Sequence, residues 1–201
     1  MYNELLWIFA QLPDDYIVLD TETTGLPDEN GLPDIVTLGI TVVRNREIAE
    51  SVEFKTRPKK RISEEAQSIH GITNEQAAEF KSFDSQWSHI AEYLKDQLIV
   101  IHNASFDWPI LRDHVVRYNL TTPSIKGVFC SQKAATPWAQ AMDLPCSHRG
   151  PSVDTLTKSL GVENLRAKKD GVHGAEIDSQ QAAQILEVMR SLEKSDTVGS
   201  N

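Results

Sequence analysis

Hydrophobic positions in this chain follow two regimes. In the first quarter they form short, nearly unbroken runs; from about residue 84 onward they recur every three or four positions. Tyr16 to Leu19 is a continuous apolar run, the pattern of a strand covered on both faces. Ile35 to Val43 and Ile48 to Phe54 are two further strand-like runs, joined by the polar Arg44-Asn45-Arg46, and together they predict a hairpin. The three segments predict an antiparallel meander. Trp87, Ile90, Ala91 and Leu94 then fall at i, i+3, i+4 and i+7, predicting a helix with Asp84 or Ser85 as its cap. Leu98 to Ile101 is a short apolar strand placed to run parallel in the sheet after a helical crossover. A helix over Trp108 to Tyr118 carries Ile110, Leu111 and Val115 on one side. A last helix shows Ala182, Ala183, Ile185, Leu186, Val188 and Met189 on its apolar side. The expected architecture is α/β, with a mixed five-stranded sheet of meander plus parallel strands flanked by helices. Residues 1–194 are expected to form a single domain, with residues 1–15 as a helical extension built on the apolar run Leu5 to Ala10. The polar residues 195–201 are expected to be a disordered tail.

Composition narrows the class. The chain has 201 residues, 40% of them hydrophobic, enough for one domain with a substantial core. No run resembles a signal peptide or a membrane span, and the two cysteines, Cys130 and Cys146, have neither disulfide-framework nor zinc-site spacing. A cytoplasmic setting without membrane contact is expected. The formal net charge of −9 argues against a protein that coats nucleic acid through a broad basic face. It leaves room for an enzyme that grips one strand end, because acids gathered round cations contribute to that total. Basic residues cluster at Arg57 to Arg61 and at Arg166, Lys168 and Lys169, as solvated loops or phosphate contacts.

Candidate chemistry sits where apolar runs end. Tyr16 to Leu19 leads directly into Asp20-Thr21-Glu22, and residues at i and i+2 of a strand face the same way. Two like charges about 4 Å apart repel by roughly 4 kcal/mol at an effective dielectric of 20, so the pair calls for water or a cation between them. Carboxylate oxygens suit magnesium or manganese. The strand ending at Ile101 hands over to a helix through His102-Asn103-Ala104-Ser105-Phe106-Asp107, beyond a strand's carboxyl end, where sites gather in such sheets. Pro109 supports a helix start there, and Asp107 suits both the helix dipole and a shared cation. A third segment, His173-Gly174-Ala175-Glu176-Ile177-Asp178, puts an imidazole on a loop loosened by Gly171 and Gly174. It puts a carboxylate on the first turns of the final helix.

Asp20-x-Glu22, His102-Asn103-Ala-x-Phe106-Asp107 and His173-x-Ala-x-x-Asp178, in this order, resemble the three motifs of the DEDDh 3′-to-5′ exonucleases. The proofreading epsilon subunits of bacterial DNA polymerase III are the most similar group. Ser68-Ile69-His70-Gly71-Ile72-Thr73 resembles another segment of that group, and the likeness spans roughly residues 16 to 190. It implies a ribonuclease-H-like fold in which Asp20, Glu22, Asp107 and Asp178 gather two divalent ions, Mg2+ or Mn2+, with His173 as general base. Nucleoside 5′-monophosphates would leave the 3′ end of single-stranded DNA by two-metal hydrolysis. Thr23 and Leu26 would contact the terminal sugar and base, with Phe106 either stacking there or packing in the core. A short polar tail stands where the proofreading subunit carries its docking extension, so a free-standing exonuclease is expected, with any polymerase or repair partner unidentified. Two rivals accompany this reading. An RNA-trimming exonuclease would use the same residues, since a 2′-hydroxyl is read by local contacts; a non-catalytic interaction module would keep the fold alone.

Overall fold

The computed structural model describes residues 2–29, 31–169 and 173–195. Three strands come first: β1 (Tyr16–Thr23), β2 (Ile35–Arg44) and β3 (Glu47–Lys55). They pair antiparallel, as the hydrophobic pattern predicts. Asn45 and Arg46 both take positive φ (50° and 68°), the conformation that lets a two-residue turn follow the twist of its strands. β4 (Leu98–Ile101) and β5 (Gly127–Cys130) then add in parallel, giving a five-stranded sheet in the order β3-β2-β1-β4-β5.

Eight α-helices are described, α1 (Trp7–Ala10), α2 (Glu64–His70), α3 (Asn74–Ala78), α4 (Phe83–Leu94), α5 (Ala104–Arg117), α6 (Ser131–Ala141), α7 (Val153–Ser159) and α8 (Ala175–Ser195), with short 3-10 helices at Asn3–Leu6 and Arg166–Lys169. They cover both faces of the sheet. Ile17, Leu19, Ile99 and Ile101 pack with Phe83, Ile90, Leu94 and Ile110 of α4 and α5. On the other face, Tyr16, Val18 and Val100 meet Ala182, Ala183, Leu186 and Met189 of α8. Leu6, Phe9 and Leu12 are buried in that second cluster. Arg190 locks them down by donating to the carbonyls of Leu12 and Pro13 and pairing with Asp14. The segment before β1 is therefore part of the core.

Several boundaries differ from the sequence reading. The first strand continues through Asp20 and Glu22 to Thr23, because β2 pairs with it that far. Ser82, rather than Asp84 or Ser85, precedes the α4 helix, and those two lie in its first turn. α5 begins at Ala104, four residues earlier than predicted, after Asn103 enters the left-handed region at φ 72°. Val188 is half-buried, and Ser195 closes the last helix. The remainder of the expected tail, 196–201, lies outside the described residues, as does Gly171.

One buried ion pair anchors the loops beside the site. Asp34, 2% exposed, accepts from the backbone N–H groups of Lys59 (2.7 Å) and Lys60 (2.8 Å) and from Arg117 (2.8 Å). Burial pushes its pKa up, but these donors outweigh burial and hold the carboxyl below its usual range. Asp34→Ala is expected to cost ~3 kcal/mol, since it leaves two backbone N–H groups without their acceptor and removes one of the two carboxylates paired with Arg117, the other being Asp113 at 2.6 Å. At 2–4 °C per kcal/mol for a chain of this size, the melting temperature should fall by about 6–12 °C in a thermal scan.

Candidate active site

Asp20 and Glu22 share one face of β1, the face that α8 covers. Asp107 reaches them from the first turn of α5, round the end of the sheet. Its Oδ1 accepts from the Thr21 backbone N–H (3.1 Å) and the Thr21 hydroxyl (2.7 Å), which fixes its carboxylate. Asp178 stands on the first turn of α8. Its Oδ1 accepts from Arg166 Nε at 2.5 Å, and its Oδ2 lies 3.4 Å from His173 Nδ1. One ligand atom each from Glu22, His173 and Asp178 can be drawn within 4.8 Å of one another. All five residues line a single cavity of about 320 Å³.

A residue that carries no chemistry permits this convergence. Gly39 of β2 pairs with Asp20, and α8 begins directly above it. A Cβ at Gly39 would stand 2.1 Å from the Ala175 carbonyl carbon and oxygen and 2.4 Å from the Glu176 nitrogen. Only a glycine lets the helix start close enough for Asp178 to share a cavity with Asp20. Gly39→Ala is expected to lift the start of α8, lower the melting temperature and reduce activity at least ~10-fold, as misplaced catalytic groups do. Scanning calorimetry together with steady-state kinetics would check it.

The charges are out of balance. Burial, then the neighbouring carboxylates Asp107, Asp178 and Glu22, push the pKa of Asp20 well above the ordinary carboxylate range. Burial raises Glu22 to about 7, helped by Asp178, and raises Asp107 to about 7 against the Thr21 hydrogen bonds. Asp178 goes the other way. Burial raises it, but the hydrogen bonds from His173 and Arg166 outweigh burial and hold it low. His173 is raised in turn by its hydrogen bond to Asp178.

These directions set a stability profile. Groups with a raised folded-state pKa bind more protons folded than unfolded, so their contribution is full below about pH 4 and is lost as pH rises through about 7. Asp178 works oppositely, with a contribution lost only as pH falls below the ordinary carboxylate range. His70, His102 and His114, whose pKa values burial lowers, gain stability over the same window and offset part of this loss; in a chelating buffer, raising the pH from 5.5 to 7.5 should still lower the melting temperature by on the order of 5 °C, equivalent to ~2 kcal/mol. A flat profile would contradict the charge imbalance.

A groove of about 600 Å³ adjoins the cavity and shares Thr21, Glu22 and Phe106 with it. The predicted nucleotide contacts Thr23, Leu26 and Phe106 all line this groove. Thr23 is buried and donates to the Gly25 carbonyl at 2.8 Å, whereas Leu26 is 76% exposed. Phe106 is half-buried, with the core on one side and the groove on the other. Lys60, Arg61, Ile69 and His70 line the groove as well. His102, by contrast, belongs to the scaffold. It sits between Ser131 Oγ (3.1 Å) and the Pro151 carbonyl (3.0 Å), and burial lowers its pKa to about 4. Arg166, read beforehand as part of a solvated or phosphate-binding cluster, instead pairs with Asp178 and with Asp154 (2.8 Å).

A family model described as an exonuclease, RNase_T, matches residues 17–186. The chain belongs to the RNase_T exonuclease family. All three acidic segments of this exonuclease domain fall inside the matched stretch. Among curated relatives, the PolC-type DNA polymerase III of Thermotoga maritima is 26% identical over 88% of this chain, which spans 12% of the relative's length. The DNA polymerase III subunit epsilon of Pasteurella multocida is 26% identical over 88% of this chain and 68% of that protein. Among solved structures, the nuclease domain of 3′hExo, a DEDDh family member bound to rAMP, superposes with a TM-score of 0.69 at 17% identity. That match covers 90% of this chain and 94% of the other. The exonuclease domain thus shares the fold of that nuclease domain. Among the described residues, no helix is long and apolar enough to cross a membrane.

Proposed function

We propose that this chain removes nucleoside 5′-monophosphates one at a time from the 3′ end of single-stranded DNA. Asp20, Glu22, Asp107 and Asp178 would hold two divalent ions, Mg2+ or Mn2+, and His173 would act as the base. The observation that carries this reading is the convergence of four carboxylates and an imidazole on one cavity that opens into the groove of Thr23, Leu26 and Phe106.

The donor set fits such ions. It is made of hard oxygens, and the raised pKa values of Asp20, Glu22 and Asp107 express the want of positive charge beside them. Bound there, the ions supply Lewis-acid stabilisation of the attacking and leaving oxygens of an in-line displacement. The remaining work belongs to the chain. His173 turns Nδ1 toward Asp178, which favours a proton on that nitrogen and leaves Nε2 to take one from water. Thr21 holds Asp107 in place. Phe106 and Leu26 offer apolar surfaces on which a terminal base stacks regardless of its identity.

The names of the relatives support DNA as the substrate and a DNA polymerase as the class of partner to test first. The rAMP in the 3′hExo structure keeps RNA as the second reading. Matched DNA and RNA strands, digested side by side with released nucleotides separated by chromatography, test the choice. The account expects deoxynucleoside 5′-monophosphates from DNA at the higher rate. Faster release from RNA would move the protein to RNA trimming, and 3′-monophosphates would overturn the proposed chemistry.

A further inference from the structure

The catalytic cavity has a second outlet. On the side away from the groove of Thr23 and Leu26, it shares Asn103 and Gln132 with a pocket of about 310 Å³, and that pocket has no lining residue in common with the groove. The three spaces therefore lie in series, with the carboxylates in the middle. If the terminal nucleotide occupies the groove and the scissile phosphodiester the cavity, the rest of the strand needs a way out.

The charges of the candidate outlets differ. The second pocket is lined by Lys133, His148 and Arg149 and by no carboxylate. A further pocket, which meets the cavity at Glu22 and His173, carries Glu53 and Glu176 beside a single Lys55. Phosphodiesters are repelled by the latter and attracted by the former, in a chain whose net charge is −9. Lys133 projects from the first turn of α6 and is exposed. His148 and Arg149 form the tip of a tight turn in which Ser147 and Gly150 exchange backbone hydrogen bonds of 3.0 and 3.1 Å. That turn is pressed onto α6. A Cβ on Gly150, where φ is +121°, would meet the Thr136 hydroxyl at 2.4 Å and the Gln132 carbonyl at 2.9 Å. Both exposed cations are thus held on a fixed surface, and among the described residues neither is paired with a carboxylate.

We infer that Lys133, His148 and Arg149 form the seat for the backbone phosphates of the strand lying 5′ of the scissile bond. This rests on the exonuclease reading above and extends it from the reacting nucleotide to the strand behind it. The contacts are to phosphate, so they are indifferent to base sequence and sensitive to salt and strand length.

The test compares wild type with Lys133→Ala/Arg149→Ala on 5′-labelled oligothymidylates of two and eight residues at several salt concentrations, with manganese. KM for the octamer should rise about tenfold with kcat within twofold, and the salt dependence of log KM should flatten by ~1.4 for two lost single-strand contacts. The ratio of variant to wild-type KM should be near one for the dinucleotide carrying an uncharged 5′ label, which has no phosphate 5′ of the scissile bond. Lys133→Arg/Arg149→Lys should restore the octamer KM. Lys95→Ala/Lys126→Ala removes the same charge at the opposite ends of β4 and β5 and should leave the octamer KM unchanged. An unchanged octamer KM in the first double variant, with wild type active, overturns this seat alone. Equal losses in both charge-removing variants overturn it in favour of a general field effect. Wild type inactive on every strand overturns the exonuclease reading and this inference together.

Discussion

Asp20→Asn is expected to abolish strand shortening, with kcat falling at least ~10³-fold, while the metal-free protein becomes more stable. The two halves have one cause. Burial, and then the neighbouring Asp107, Asp178 and Glu22, push the pKa of Asp20 up. A neutral amide relieves that repulsion, so the melting temperature in a chelating buffer at pH 7.5 should rise. The same exchange removes a charge from the cavity on which the other three carboxylates converge. A loss of ~4 kcal/mol in transition-state stabilisation corresponds to about 10³ in rate. Magnesium or manganese should stabilise wild type by binding the folded state, and that rise should vanish in the variant. Kinetics and thermal scans with and without metal read both halves at once. A variant that is inactive but less stable without metal would have failed by misfolding, and the charge argument would fall with it.

His173→Ala is expected to separate hydrolysis from ligand binding. A positioned general base contributes ~10²- to 10⁴-fold, and the rate should fall by that factor. The side chain is 36% exposed, with Nδ1 3.4 Å from Asp178 and Glu22 within 4.8 Å. Its loss should therefore leave most of the metal-induced rise in melting temperature intact. Full activity in the variant would remove His173 from the mechanism. A complete loss of the thermal shift would reassign it as a ligand.

The fold was legible because its signals were long and periodic. The apolar runs at Tyr16, Ile35, Ile48 and Leu98 each became a strand, and the i, i+3, i+4 pattern from Trp87 became α4. β5 was not located beforehand. Gly127-Val128-Phe129-Cys130 is a four-residue edge strand with every position half-buried, and its apolar run, Val128 to Cys130, is only three residues long and shows no alternation. The start of α5 was missed for a related reason. His102-Asn103-Ala104-Ser105 reads as polar loop, and only the left-handed Asn103 shows that the chain turns there directly into a helix.

The site was readable as chemistry but not as packing. Asp20, Glu22, Asp107, His173 and Asp178 announce themselves by residue type and spacing, and the structure brings all five to one cavity. Gly39 is hidden within a ten-residue strand, and nothing in its neighbours tells that a helix start lies 2.1 Å from its would-be Cβ. Arg166 is equally silent, since its partners Asp154 and Asp178 are each twelve residues away and joined to it only by the fold.

The most direct test of the account is a digestion of single-stranded DNA labelled at its 5′ end, with magnesium or manganese, beside a chelated sample. The account predicts a ladder that shortens one nucleotide at a time from the 3′ end only when metal is present. Release of the 5′ label in the first turnovers, or the same ladder in the chelator, would contradict it.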